Sequence, residues 1–264
     1  MAVTDYAGAR SGATPASPVP ASPSAAARWR AVRAPIIEIA SVLALFGAYN
    51  LGRFVATGRE ASADGHAADL VALERWLHLP SEAWLQRLAF RVPHLIDFCD
   101  HYYVLVHFPL TVGLLVWLYR YRRGGYTWAK RSLILATGAA MVVHIALPMT
   151  PPRLLPGLLM VDTGTRSGES AYGGASPFSG MANQYAAMPS LHVGWALLLA
   201  VVMISVCRTR WRWLWALHPV LTLVTVVVTA NHYLLDAVAG SALVLAALWL
   251  AEVLWGSASA ARRA

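Results

Sequence analysis

The chain has 264 residues, 58% of them hydrophobic and only 13% charged, with a mean hydropathy of +0.52 and a formal net charge of +8. Soluble domains carry about 25% charged residues, so this composition excludes an ordinary soluble enzyme, and its apolar content excludes a disordered chain. What remains is a helical membrane protein whose positive charge belongs in loops on one side of the bilayer; no nucleic-acid partner is expected.

Lysine occurs once, at Lys130, so arginine supplies the other basic residues; with the abundant alanine this resembles a GC-rich bacterial coding sequence. Cys99 and Cys207 have neither metal-ligand nor disulfide-framework spacing.

In chain order, residues 1–34 are rich in Ala, Pro and Ser and read as a disordered cytoplasmic tail. No compact signal peptide is visible, because the first apolar run starts only near Ile36. Six apolar runs follow, at about 35–52, 102–119, 132–149, 188–207, 214–230 and 233–255. Each approaches the ~20 residues that cross a hydrocarbon core. The fold class is therefore all-α integral membrane, a six-transmembrane-helix bundle over 35–255 with a short cytoplasmic tail at 256–264. With the N-terminus inside, 14 of the 21 basic residues fall in the tails and in the links 120–131 and 208–212. That bias predicts a plasma-membrane protein with both termini cytoplasmic.

Between 53 and 101, Leu70, Leu73, Trp76 and Leu77, then Trp84, Leu85 and Leu88, recur at helical spacing among charges such as Glu74 and Glu82. Ser81 before Glu82 reads as a helix start. This first outer loop is expected to hold two short amphipathic helices, lying on the membrane surface or packed as a cap on the bundle.

Three polar clusters stand at helix ends that this topology brings to one face: Pro148–Arg153, Met188–His192 and Asn231–Asp236. His232 and Asp236, four apart, share one helical face and can hydrogen-bond. An acid inside a membrane helix is destabilising and needs a partner or a task. A carboxylate on one ring nitrogen leaves the other as nucleophile or base, a second histidine can protonate a leaving oxygen, and a guanidinium clamps phosphate. These parts suffice for phosphoryl transfer through a phosphohistidine, with no metal and no cofactor.

Pro189-Ser190-Leu191-His192 and His232-x-x-x-Asp236 resemble the second and third motifs of the phosphatidic acid phosphatase type 2 superfamily. The Leu after Pro-Ser and the His232-Tyr233 pair are similar to its inositol-phosphorylceramide synthase and sphingomyelin synthase branch. The resemblance implies catalytic roles for His232 as nucleophile, Asp236 as its orienter and His192 as acid and base. It places Arg153 on the phosphate, with Ser190 and the helix N-terminus assisting, and brings Tyr233 to the substrate side. The superfamily's usual cations are missing, since Ala146 and Val226 stand where a Lys and an Arg are expected; Arg166 or a loop arginine is the candidate replacement, or the substrate is a less charged diester. Tyr103 and His107 either touch substrate or anchor the second helix at the interface. His144 and His218 read as interior groups.

The expected function is extracytoplasmic transfer or hydrolysis of a lipid phosphate: a phospholipid or polyprenyl phosphate meets a hydroxyl acceptor or water at the bilayer surface. Inositolphosphotransfer fits the branch. A lipid phosphate monoester phosphatase is one alternative, and a non-catalytic lipid-binding or transport protein is another.

Overall fold

The computed structural model describes residues 60–167 and 185–256, with isolated positions 33, 36, 40, 47, 259 and 261. The chain divides into two compact units, 1–43 and 44–264, and the elements below belong to the second. The first apolar run, 35–52, lies outside the described residues apart from three of those isolated positions.

Among the described residues the fold is all-helical, apart from one isolated bridge between Met149 and Ala186. In order come α1 (Glu60–Trp76), α2 (Glu82–Ala89), α3 (Leu95–His101), a π turn (Tyr102–Val106), α4 (His107–Tyr121), α5 (Arg123–Ala146), α6 (Thr163–Ser167), α7 (Leu191–Val206), a 3-10 stretch (Arg210–Ala216), α8 (Leu217–Val228) and α9 (Leu234–Trp255). Four segments are long and apolar enough to cross a membrane: Leu95–Tyr121, Arg123–Ala146, Arg210–Val228 and Leu234–Trp255. The protein is a membrane protein on that ground. The run expected at 188–207 is a shorter helix of 16 residues, α7.

Two boundaries differ from the sequence reading, each for a local reason. The helix expected from 102 begins at Leu95, and its chain widens into the π turn just before Pro109. A proline has no N–H for the carbonyl four residues back, and its ring would collide with that carbonyl, so a wider turn relieves the clash. The basic link expected at 120–131 is almost wholly helical, since α5 starts at Arg123. Its cations stay on the helix by lying over rings: Arg123 sits 3.6 Å from the Tyr119 ring centre and Arg131 4.9 Å from that of Trp255.

The core is built by α4, α5, α7 and α9, where Leu118, Ala136, Leu198, Leu199, Val202 and Val244 interlock with no exposure to spare. Glycine sets the closest approach. A Cβ on Gly240 would overlap the Ser190 carbonyl oxygen, and one on Gly194 would stand 3.1 Å from the Gly240 oxygen. The absent side chains let the start of α7 lie directly on the first turns of α9.

The helices in the 53–101 loop form where the periodicity places them, but three of their polar residues are not solvated, while Glu60, Asp69, Arg75 and Arg87 are. Glu74, Glu82 and Gln86 are all at most 4% exposed. Ser81 does stand at the N-cap of α2, without a side-chain capping bond. Tertiary hydrogen bonds explain the burial. Gln86 donates to the Val161 and Val228 carbonyls and accepts from the Val161 N–H at 2.8 Å.

Candidate active site

Both histidine motifs open helices, and the openings are joined through the backbone. Ser190 N-caps α7, its Oγ accepting from the Val193 N–H at 3.5 Å. Tyr233 caps α9 in a capping box with Asp236, whose Oδ2 accepts from the Tyr233 N–H at 2.9 Å. The Ser190 N–H donates to the Asp236 carbonyl at 3.1 Å, tying one helix start to the other. Before α9 the chain reverses sharply: Ala230 takes a left-handed φ of 58°. The Val226 carbonyl accepts from the N–H groups of both Asn231 and His232, at 2.9 and 3.0 Å.

This scaffold lines up three side chains. His232 Nδ1 is 3.1 Å from Asp236 Oδ2 and 3.0 Å from the Ala187 carbonyl oxygen. His232 Nε2 is 3.3 Å from His192 Nδ1. A carbonyl oxygen can only accept, so Nδ1 of His232 carries the proton and Nε2 presents its lone pair. The imidazole of His192 then donates from Nδ1. Asp236 is fully buried and His232 is 5% exposed, so their contact lies away from water, where a hydrogen bond is electrostatically stronger.

Arg153 is brought to the same place by a strap running from Leu147 to Asp162. Met149 pairs with Tyr185 and Ala187, the Thr150 hydroxyl donates to Asp64 Oδ1 at 2.6 Å, and the Arg153 N–H donates to the Ala230 carbonyl at 3.0 Å. The guanidinium donates from Nη1 to Asn231 Oδ1 at 2.6 Å and lies 3.7 Å from Asp162 through Nε. Its charge is close enough to bear on His232.

The remaining expected residues divide. Ser190 is fully buried and its hydroxyl serves as the α7 cap. Tyr233, expected on the substrate side, is also fully buried; its hydroxyl donates to the Thr150 carbonyl at 2.8 Å and so pins the strap. The tight turn before α9 turns the phenol inward, which the pattern of residues alone does not reveal. Tyr103 and His107 meet the His192 ring, with centres 4.7 and 5.3 Å away. Arg166 lies on α6, and its side chain falls outside the described residues. His144 is interior, with Nε2 3.3 Å from the Pro189 carbonyl. His218 stacks on His107 at 5.5 Å, and its Nδ1 lies 2.6 Å from the Tyr102 hydroxyl. Ala146 is exposed at the end of α5 and Val226 is fully buried, so neither position supplies a cation.

Asn231, Glu74 and Glu82 are visible in the sequence as polar residues without an assigned role, and Ala187 is not distinguished there at all. Asn231 stands beside His232, a signal that was available. The other three act through single hydrogen bonds across 45 residues or more, which leave no periodic trace.

Among the described residues no group of three or more His, Cys, Asp or Glu side chains is arranged to hold a metal ion. Together, membrane-crossing helices and a His–His–Asp file at their ends define an integral membrane protein with the parts for phosphoryl transfer. Residues 68–250, well over half of the chain, match the PAP2 superfamily, and the chain belongs to that superfamily. Its members are generally phosphatases or phosphotransferases, which makes this protein an enzyme acting on lipid phosphates in the general sense. No curated protein and no solved structure matches the chain.

Proposed function

We propose that the protein transfers a phosphate-linked head group between a phospholipid and a hydroxyl acceptor, through a phosphohistidine on His232. The observation that carries this reading is the tautomer of His232: Nδ1 is held by Asp236 and Ala187, which leaves the Nε2 lone pair facing His192.

Substrate phosphate entering between the two rings replaces the 3.3 Å contact. His232 Nε2 attacks phosphorus, a P–N bond forms and the P–O bond to the lipid breaks. The leaving oxygen takes the His192 Nδ1 proton, and the positive charge that grows on the His232 ring is met by Asp236. In the second half the acceptor hydroxyl gives its proton to His192 and its oxygen to phosphorus, and the P–N bond breaks. No metal enters these steps. Arg153 and the N–H groups at the start of α7 hold the non-bridging oxygens. Tyr103 and His107 line the approach beside His192.

Head-group transfer is favoured over monoester hydrolysis by charge. A monoester brings two negative charges, and the positions where the superfamily resemblance expects further cations hold Ala146 and Val226. A diester brings one charge, which suits a single guanidinium. The extracytoplasmic placement rests on the basic links: Arg123, Arg131 and Arg210–Arg212 belong to the bundle end opposite His192 and His232. Basic residues collect on the cytoplasmic side. A sixth span at 35–52 and cytoplasmic termini complete this topology.

Purified protein in mixed micelles, beside His232→Ala, tests the reading. Phospholipids and lipid phosphate monoesters are offered with and without a hydroxyl acceptor. Head group moved to the acceptor by wild type alone, with little free phosphate, is the expected result. Phosphate released from a monoester by wild type alone would mean a phosphatase, and identical behaviour of the two proteins would remove His232 from the chemistry.

A further inference from the structure

The first turn of α9 carries Asp236, and its exposed N–H groups need acceptors. Two of them find carboxyl groups from outside the bundle. Leu234 N–H donates to Glu82 Oε1 at 3.2 Å, and Leu235 N–H donates to Glu74 Oε1 at 2.8 Å. The partners are more than 150 residues apart in sequence. The two carboxyl groups also lie within hydrogen-bonding reach of each other, and two carboxylates can share such a contact only if one holds a proton. Glu74 Oε2 is buried and has no donor among the described residues, so that oxygen is the place for it.

We propose that Glu74 and Glu82 are positioning residues of the phosphoryl-transfer site, a proton-sharing carboxyl pair that clamps the first turn of α9 and so holds Asp236 against His232. This rests on the reading of His232 given above. The clamp is built where an error would matter most. Tyr233, Leu234, Leu235 and Asp236 are consecutive, and the N–H groups of the first three go to Asp236, Glu82 and Glu74 in turn. Release of α1 or α2 would free the turn that fixes the Asp236 carboxylate.

The surroundings make the proton consequential. Burial first, then the neighbouring Glu82 and Asp236 charges, push the Glu74 carboxyl up to about 8, against the pull of the Leu235 N–H. The groups facing this cluster are Glu82 from α2, Tyr233 and Asp236 from α9, and Asp64 from α1 itself. The strap and the 185–188 segment add the apolar Met149, Leu155, Leu158, Ala187 and Met188 around Tyr233, together with the Thr150 hydroxyl on Asp64 and the Tyr185 phenol, whose proton burial and the Asp64 charge help to hold. The fold thus favours protonated Glu74, so its contribution is complete below the ordinary carboxyl range and is lost as pH rises through about 8. Above that pH a further negative charge would join the carboxyl groups of Glu82, Asp236 and Asp64, with no cation among the groups just named.

The test uses full-length wild type, Glu74→Gln, Glu82→Gln and Glu74→Ala in micelles, read by amide hydrogen exchange of the peptide covering 232–240 and by lipid turnover between pH 6 and 10. Exchange speeds up about tenfold per pH unit by base catalysis alone, and wild type should show an additional step near pH 8 that Glu74→Gln lacks, since the amide keeps an acceptor for Leu235 and cannot ionise. Turnover should follow, with kcat falling on the alkaline side in wild type, KM holding, and the fall displaced upward in Glu74→Gln. Glu74→Ala should lower kcat by about tenfold at neutral pH; if it does not fold, the two glutamine variants still decide. Identical exchange steps in wild type and Glu74→Gln would overturn the clamp. An intact step without His232-dependent turnover would instead overturn the reading of the site and leave the clamp of α9 standing.

Discussion

His232 and His107 are both buried, 5% and 1% exposed, and both rings lie within 5.4 Å of the His192 ring centre. Only their partners differ. His232 has Asp236 and the Ala187 carbonyl on Nδ1 and His192 on Nε2. His107 has no hydrogen-bond partner for either nitrogen among the described residues and is held by ring contacts with His192, His218 and Phe108. On the proposed mechanism, a buried imidazole becomes a reagent when acceptors on one nitrogen decide which atom carries the lone pair. Proximity to a second histidine is not enough.

The sharpest way to break this comparison is Asp236→Asn, which keeps the size of the orienting group and removes its charge. Turnover should fall by roughly 10²-fold or more, because the ring loses its fixed tautomer and the charge that balances the intermediate. Steady-state kinetics with a folded variant measures it, and a loss under tenfold would mean that the Ala187 carbonyl alone orients His232.

Gly240→Ala should come next. Its methyl group would collide with the Ser190 carbonyl, forcing α7 and α9 apart and lengthening the His192–His232 contact while leaving His107 beside His192. Overpacking of this kind costs about 1–3 kcal/mol. It should appear as a lowered Tm in micelles together with a reduced kcat, whereas an unaltered Tm would show that the helix start yields without cost.

The smallest effect is expected for His107→Phe, which retains ring packing and removes both nitrogens. It should change kcat by less than about tenfold and act mainly on KM, as fits a group that lines the approach rather than one that moves a proton. A loss as large as that of Asp236→Asn would put His107 in the proton path.

Much of the site was legible before any folding was considered. The four-residue step from His232 to Asp236, and Pro189-Ser190-Leu191-His192 at the start of another apolar run, are local patterns that helical geometry translates directly into position. Arg153 was legible through the family resemblance, which places a basic residue after Pro151-Pro152 in the polar cluster that follows α5. The inward direction of the Tyr233 phenol was not legible, because it depends on the left-handed Ala230 and on the turn around the Val226 carbonyl. Glu74 and Glu82 looked like solvated charges, since helical spacing shows which face a side chain occupies but not what covers that face.

The amino-acid sequence by itself determined the helical membrane character, the starts of α2, α7 and α9 and the chemical types gathered at one end, because composition, period and capping act over a few residues. Only the tertiary structure decided which nitrogen of His232 is held, that α1 and α2 reach the start of α9, and that Gly240 lets Ser190 lie against it. Those outcomes depend on hydrogen bonds and close approaches between segments 45 to 161 residues apart. Such contacts exist only once the apolar helices have packed and left their buried polar groups with few partners to choose from.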